Sequence, residues 1–233
     1  MPYRNRLLRM FTPHQRRLLK PPPEQIVIPA QGYLFRCGEP IRALFFPESG
    51  VISASLPEQN GEEVKLWTAS GPHNLCLGAH TLFRLPEALY DFRAHTEARG
   101  WSIRREALCA AMAQDSALHN LFQRVLHVIA TANRQQLVCR TKHSHEQRLC
   151  CTLMMLQESL GDRIALPREL IASFVPCPPK YFYELARSLT RAGIIRLEGG
   201  DIVIHDSAAL EQRSCGCFTT LIQQHDDLFA SVT

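Results

Sequence analysis

Between Gln25 and Ile103 apolar residues alternate with polar ones in short runs, at 25–28, 33–36, 43–46, 51–56, 63–68 and 90–94. Side chains two apart on an extended chain share a face, so each run predicts a strand that buries one side. Gly32, Gly38, Pro47, Gly50, Gly61, Gly71 and Gly78 punctuate the runs. Short strands at such close intervals predict a sandwich or barrel. Asn60-Gly61 falls between two alternating runs and predicts a hairpin turn, because both central positions tolerate positive φ.

Past Trp101 the period changes. From 117 to 139 there is neither glycine nor proline. Leu118, Leu121, Val125, Val128, Ala132, Gln135 and Cys139 follow the 3-4 spacing of a helix seam. Phe122, Leu126 and Ile129 form a second apolar stripe. A helix with two apolar faces must bury both, one on its own domain and one on a second copy. The pattern therefore predicts a parallel homodimer through Leu118, Leu121, Val125, Val128 and Ala132. A helix wholly buried in a monomeric bundle is the competing reading. The last third predicts shorter elements: a helix at 146–160 ended by Gly161-Asp162, another at 168–175, and a proline-rich turn, Pro176-Cys177-Pro178-Pro179. A helix at 180–192 follows, closed by Gly193. Runs at 194–197 and 202–204 flank Gly199-Gly200 as two short strands. Helix, turn, helix and hairpin is the layout of a winged helix-turn-helix.

Composition narrows the class. Over 233 residues, 45% are hydrophobic and 21% charged, as in an ordinary globular protein. No apolar run approaches the roughly 18 residues of a membrane span, and no signal-peptide core follows the basic start. Nine scattered cysteines suit a reducing cytoplasm better than a disulfide scaffold. The net charge is +4, yet the first 20 residues carry six cations and no acid. Such an arm can reach nucleic acid or an acidic membrane face. Alternatively it is a solvated amphipathic helix with Leu7, Leu8, Met10 and Phe11 turned to the body.

Gly38-Glu39-Pro40-Ile41 and Phe46-Pro47-Glu48-Ser49-Gly50-Val51-Ile52-Ser53 resemble the β-roll of Crp/Fnr regulators. Glu146-Gln147-Arg148-Leu149, Leu166, Ala192-Gly193-Ile194-Ile195, Gly200-Asp201-Ile202-Val203-Ile204 and Leu210-Glu211 resemble the helix-turn-helix and wing of that family. Ser214-Cys215-Gly216-Cys217 resembles a tail found in one of its branches. The order and spacing hold over about 20 to 218. The resemblance implies an α+β protein: a sensory, jelly-roll-like β-roll with its N-terminal helix (1–112), a dimerisation helix (113–141) and a DNA-binding winged helix-turn-helix (142–233). It implies a cytoplasmic, dimeric transcription regulator. DNA and a second copy are its partners, with RNA polymerase a further candidate.

At two places the chain departs from the family. Cyclic-nucleotide-binding members hold the cyclic phosphate with a glutamate, an arginine and a serine, where this chain has Ala79, Ala88 and Leu89. A buried phosphate without a cation loses its charge-assisted partner. The expected signal is therefore not cyclic AMP, and Leu82, Phe83, Leu85 and Leu89 are expected to fill the pocket. Relatives also place arginines at the start of the recognition helix, where Pro178 and Pro179 stand here. Proline is tolerated in a first helical turn, but the guanine-reading fork is lost. Lys180, Tyr181, Tyr183, Glu184 and Arg187 remain as DNA-facing candidates. Phe182 and Leu185 are spaced for the core. From Arg140 onward ten Lys or Arg stand against eleven Asp or Glu, which is lean for a DNA-binding domain. A dimeric signalling or interaction module that no longer reads DNA therefore stays open.

A cysteine-based redox sensor is the third reading. Cys177 is its candidate, because a helix N-terminus lowers a thiol pKa. Cys215 and Cys217 are two short of the four ligands of a zinc site. Cys139 and His143, four apart, read as core packing and a surface histidine, and Cys150-Cys151 as structural. Neither metal nor cofactor is expected. No phosphate-cradling loop, nucleophile elbow or zinc-hydrolase helix is present, and Glu62-Glu63 and Gly71-Pro72-His73 read as surface loop. An enzyme is not expected.

Overall fold

The computed structural model describes residues 3–57, 63–70, 75–175 and 177–230. The Asn60-Gly61 turn, Glu62, Gly71-Pro72-His73 and Pro176 lie outside them. Among the described residues, no helix is long and apolar enough to cross a membrane. The chain divides into two compact units, 1–130 and 131–233.

The basic start of the first unit folds as two short helices, α1 (Arg6–Met10) and α2 (Pro13–Leu18). Asn5 caps α1, and Thr12 with Gln15 forms a capping box on α2. Leu7, Leu8 and Phe11 are buried and Met10 is half-buried, as the amphipathic reading expects. The segment is fastened by polar groups as well. Glu48 Oε1 accepts from the backbone N–H of Arg4 (2.6 Å) and Asn5 (3.3 Å) and from Trp101 Nε1 (2.9 Å). Asn5 Nδ2 donates to the carbonyls of Pro47 and Leu75. A buried carboxylate is tolerated when N–H groups satisfy it.

The β-roll follows as two antiparallel sheets. One contains β1 (Glu24–Ile28), β3 (Ala43–Ser49) and β7 (Ala98–Arg104) in the order β1-β7-β3. The other contains β2 (Tyr33–Phe35), β4 (Val51–Pro57), β5 (Glu63–Ser70) and β6 (Asp91–Ala94), in the order β2-β6-β4-β5. Phe45, Ala98, Ile52, Ala54, Phe92 and Ala94 meet from both sheets in one core with Leu77. Gly50, with φ of 94°, turns β3 into β4 with its α-carbon against Ala98, where a Cβ has no room. The six predicted strands are all present. The sequence reading missed β7, which holds the middle of its sheet, because Gly100 and Ser102 carry no apolar alternation. Beyond β7 come α3 (Arg105–Gln114) and α4 (Ser116–Lys142), the predicted long helix. The division between the units falls inside α4.

The predicted seam of α4 is turned inward over its first three turns. Leu118 and Val125 are 0% exposed, Val128 5% and Leu121 7% within the single chain. Ala132, past the division between the units, is half-buried. Phe122, from the second stripe, is buried too, with its ring 6.1 Å from Phe11. These residues thus serve the chain's own core, because spacing alone does not distinguish a domain from a second copy.

The second unit holds α5 (His145–Leu160), β8 (Arg163–Ile164), α6 (Arg168–Phe174), α7 (Pro179–Arg191), β9 (Ile195–Glu198), β10 (Asp201–Ile204), α8 (Ser207–Arg213) and α9 (Cys217–Ala230). The strands form a sheet ordered β8-β10-β9. The predicted helices and hairpin are there within a residue or two. Helices α8 and α9 were not predicted, although Cys217, Phe218, Leu221 and Ile222 of α9 follow helical spacing.

One buried group ties the β-roll to pH. His95 Nε2 lies 2.7 Å from Ser53 Oγ, with both side chains buried. Burial, reinforced by Lys65 and Arg93, pushes its pKa from 6.5 down to about 4. As pH falls, the unfolded chain takes up this proton first, so stability present above 6.5 is lost on the way to 4. The loss should be about 2 kcal/mol in denaturant titrations across that window, and His95→Asn should flatten it. An acid limb identical in the two chains would contradict this assignment.

Candidate nucleic-acid interface

Helix α7 is set by its ends and by one buried stripe. Pro178 is its N-cap and Pro179 its first residue, where a missing N–H costs nothing. The Pro178 carbonyl accepts from Tyr181 N–H at 3.0 Å and Phe182 N–H at 3.4 Å. The prolines therefore start the helix. At the far end, Gly193 N–H donates to Thr190 O and Ile194 N–H to Leu189 O, both at 3.0 Å, with Gly193 at φ 73°. These two bonds make a Schellman close. Phe182, Ala186 and Leu189, spaced 4 and 3, are buried. Leu185, expected in the core, is only half-buried, and Ala186 takes its place.

The opposite face carries the DNA-facing candidates. Lys180, Tyr181, Glu184 and Arg187 are exposed, as is Arg191 at the helix end. Lys180 Nζ lies 4.0 Å from Glu184 Oε1. So exposed a pair is worth a fraction of a kcal/mol, and a phosphate displaces it easily. Tyr181 stacks on His145, with centroids 5.3 Å apart and planes at 29°. Tyr183 is half-buried and donates its hydroxyl to Glu169 Oε1 at 3.0 Å. That bond raises the Tyr183 pKa, while the Glu169 carboxylate, held first by a backbone N–H and then by Tyr183, is lowered. Both tyrosines are thus engaged with protein partners, whereas the cations stand outward.

Sheet β8-β10-β9 supplies the wing. Gly199 and Gly200, with φ of 57° and 105°, close the β9–β10 hairpin, and Asp201 pairs with Glu198 across it. Arg163 on β8 reaches both carboxylates at 2.7 Å, and Arg168 Nε donates to the Gly200 carbonyl. One arginine is therefore shared between the two acids of the wing tip and offsets half their charge.

The expectation for Cys177 is corrected. Its thiol is half-buried, and burial pushes its pKa up, outweighing Arg148 and the Phe182 N–H that pull it down. The helix-start effect is present but is the smaller one. At neutral pH, Cys177 should be alkylated more slowly than the exposed Cys37. Equal or faster labelling, read by peptide mass spectrometry, would return Cys177 to the redox role.

A second correction concerns the other cysteines, none of which is in a disulfide. Cys139, His143, Cys215 and Cys217 present four ligand atoms, all within 4.8 Å of one another. Cys139 Sγ lies 3.6 Å from Cys215 Sγ, and Cys217 Sγ 3.4 Å from His143 Nδ1. The neighbouring Cys151 thiol pulls Cys215 down to about 4 and helps bring Cys139 to about 7. The second pair of ligands begins 76 residues beyond the first, on the junction between α8 and α9. With α9 unrecognised, only the coincidence of Cys-x3-His and Cys-x-Cys pointed to it.

Helix, turn, helix and two-stranded wing, with Lys180, Arg187 and Arg191 outward on the second helix, define a winged helix-turn-helix module. Residues 147–213 match the Crp-like helix-turn-helix domain, and the chain as a whole has the fold of Crp/Fnr transcription regulators. It is similar to FixK2 from Bradyrhizobium japonicum at 12% identity, covering 83% of this chain and 98% of that one with a TM-score of 0.71. It is similar to CLP, the c-di-GMP responsive global regulator of Xanthomonas campestris, at 19% identity, 82% and 97% coverage and a TM-score of 0.57. For TTHA1359, a CRP/FNR-family transcriptional regulator from Thermus thermophilus, the figures are 20%, 82%, 98% and 0.56. No curated protein matches the chain in sequence.

Proposed function

We propose that the chain is a homodimeric transcription regulator that binds DNA through α7 and the wing and answers a signal other than cyclic AMP. The observation that carries this reading is the outward face of α7, with Lys180, Arg187 and Arg191 on a helix anchored by Phe182, Ala186 and Leu189. With Tyr181 and Tyr183 engaged elsewhere and no arginine fork at the helix start, affinity leans on phosphates more than on base edges.

The signal is argued from the β-roll. Ala79 and Ala88 are buried and offer a cyclic phosphate neither charge nor donor. The filling expected from Leu85 and Leu89 is corrected, because both are exposed, at 55% and 42%. Phe35 and Tyr90, both partly buried, pack edge to face on Phe92 of the core instead.

A dimer seam, with Leu118, Leu121, Phe122, Val125 and Val128 buried in the chain itself, draws on the face of α4 that remains. Leu126 is half-buried, and Ala130, Asn133 and Leu137 are exposed, with Leu137 at 63%. Their 4-3-4 spacing is that of a coiled-coil seam. Ala130 lets a second helix approach closely. Asn133 puts one polar group on the line, and a lone seam asparagine favours a single register at some cost in stability. Leu137→Glu should therefore give a monomer by sedimentation with its fold intact, whereas Leu121→Glu should unfold the chain. A dimer unaffected by Leu137→Glu would place the interface elsewhere.

DNA binding is tested by fluorescence titration against genomic fragments at low and physiological salt. Lys180→Ala and Arg187→Ala should each reduce the salt slope by about 1 and weaken all sequences alike. Absence of binding even at low salt would leave the interaction module as the reading. An unchanged slope in both variants would move the contact surface off α7.

A further inference from the structure

We infer that Cys139, His143, Cys215 and Cys217 form a tetrahedral zinc site that clasps the start of α9 to the end of α4. Three sulfurs and one imidazole nitrogen are a complete four-ligand set for a borderline-soft divalent ion. They leave no open position for a water or substrate, the mark of a structural rather than a catalytic site. The spacing agrees. Ligands about 2.3 Å (sulfur) and 2.0 Å (nitrogen) from a central zinc stand about 3.5 to 3.8 Å apart along the tetrahedron's edges. The Cys139–Cys215 sulfurs are 3.6 Å apart, and Cys217 Sγ is 3.4 Å from His143 Nδ1. A disulfide would bring two sulfurs to about 2.05 Å.

The backbone is arranged for convergence. Cys139 sits in the last turn of α4 and His143 just past its end, where His143 N–H still donates to the Cys139 carbonyl at 3.4 Å. The two side chains therefore project one above the other. Across the site, Gly216 adopts φ of 68°, a left-handed turn that reverses the chain between Cys215 and Cys217. Cys217 then opens α9.

The surroundings suit bound thiolates. Gln135 Nε2 lies 3.1 Å from Cys217 Sγ, an amide donor aimed at a ligand sulfur. Cys151, on α5, lies beside both Cys139 and Cys215, with one S–H to offer either sulfur. Three thiolates around a divalent ion leave one negative charge, and Arg140 is close enough to Cys139 for their charges to interact. All three cysteines bind as thiolates, any thiol proton still present on loading passes to solvent, and the imidazole binds neutral through Nδ1.

The site also answers a packing problem. Helix α9 lies beyond the matched domain, which ends at 213. Among its described side chains, Cys217 alone is buried. Phe218, Leu221 and Ile222 are half-buried, so the helix rests on a partly covered apolar stripe. A metal at its first turn adds a further attachment, and its binding energy becomes folding energy of this segment.

The test uses the full chain, purified under reducing conditions and stripped with chelator. Titration with cobalt(II) should give intense ligand-field bands in the red, thiolate-to-cobalt charge transfer in the near ultraviolet, and saturation at one ion per chain. Zinc should bleach both. Zinc should raise the thermal midpoint of wild type and of Cys37→Ser, but not of Cys215→Ser or His143→Ala. It should also slow amide exchange across 217–230 in wild type, a readout that needs no variant to fold. A stripped wild-type chain that is folded by circular dichroism but takes up no cobalt, or gives only a pale octahedral spectrum, would overturn the site. So would the same cobalt spectrum from Cys215→Ser and Cys37→Ser. A Cys139–Cys215 disulfide in unreduced chain that holds no metal would also overturn it.

Discussion

Phe182, Ala186 and Leu189 commit one face of α7 to the core of the second unit, and that commitment decides which side chains are left to meet DNA. A single helical stripe buries only one surface, so the cations at 180, 187 and 191 stand outward because the apolar positions stand inward. Pro178 and Pro179 fit the same constraint. They start the helix at no hydrogen-bonding cost, yet they remove the donors that would read guanine, leaving a face suited to phosphates. The same reasoning governs α4. Its most regular apolar positions are spent on the first unit, and the sparser line through Ala130, Asn133 and Leu137 is what remains for a second copy.

The basic start of the chain shows how net charge misleads without structure. Six cations and no acid in 20 residues suggest a free arm. Yet Asn5 and Glu48 pin its first helix through hydrogen bonds, and Leu7, Leu8 and Phe11 lie in the core. The charge sits on a docked surface whose position is set by neutral and acidic groups.

Much of this architecture was legible in the sequence, for physical reasons. Alternation marked six strands because apolar side chains on one face of most of them pack toward the core, and the glycines at 193, 199 and 200 marked a helix end and a hairpin because each requires positive φ. Strand β7 escaped because Gly100 and Ser102 carry no apolar signal. The destination of the α4 stripes escaped because heptad spacing records burial but not by what. Cys177 was misjudged because sequence locates a helix start without revealing that burial outweighs it. The thiol–imidazole cluster escaped because half its ligands sit on the α8–α9 junction, 76 residues from the other half, and sequence does not show that the two meet.

The central claim is that α7 and the wing form the surface that meets nucleic acid. Amide hydrogen exchange of the full chain, with and without a saturating duplex at low salt, tests it most directly. The account predicts slowed exchange across 179–187 and 198–201, with the β-roll strands unchanged. Binding that protects the N-terminal helices instead, and leaves α7 and the hairpin exchanging as in the free chain, would contradict it.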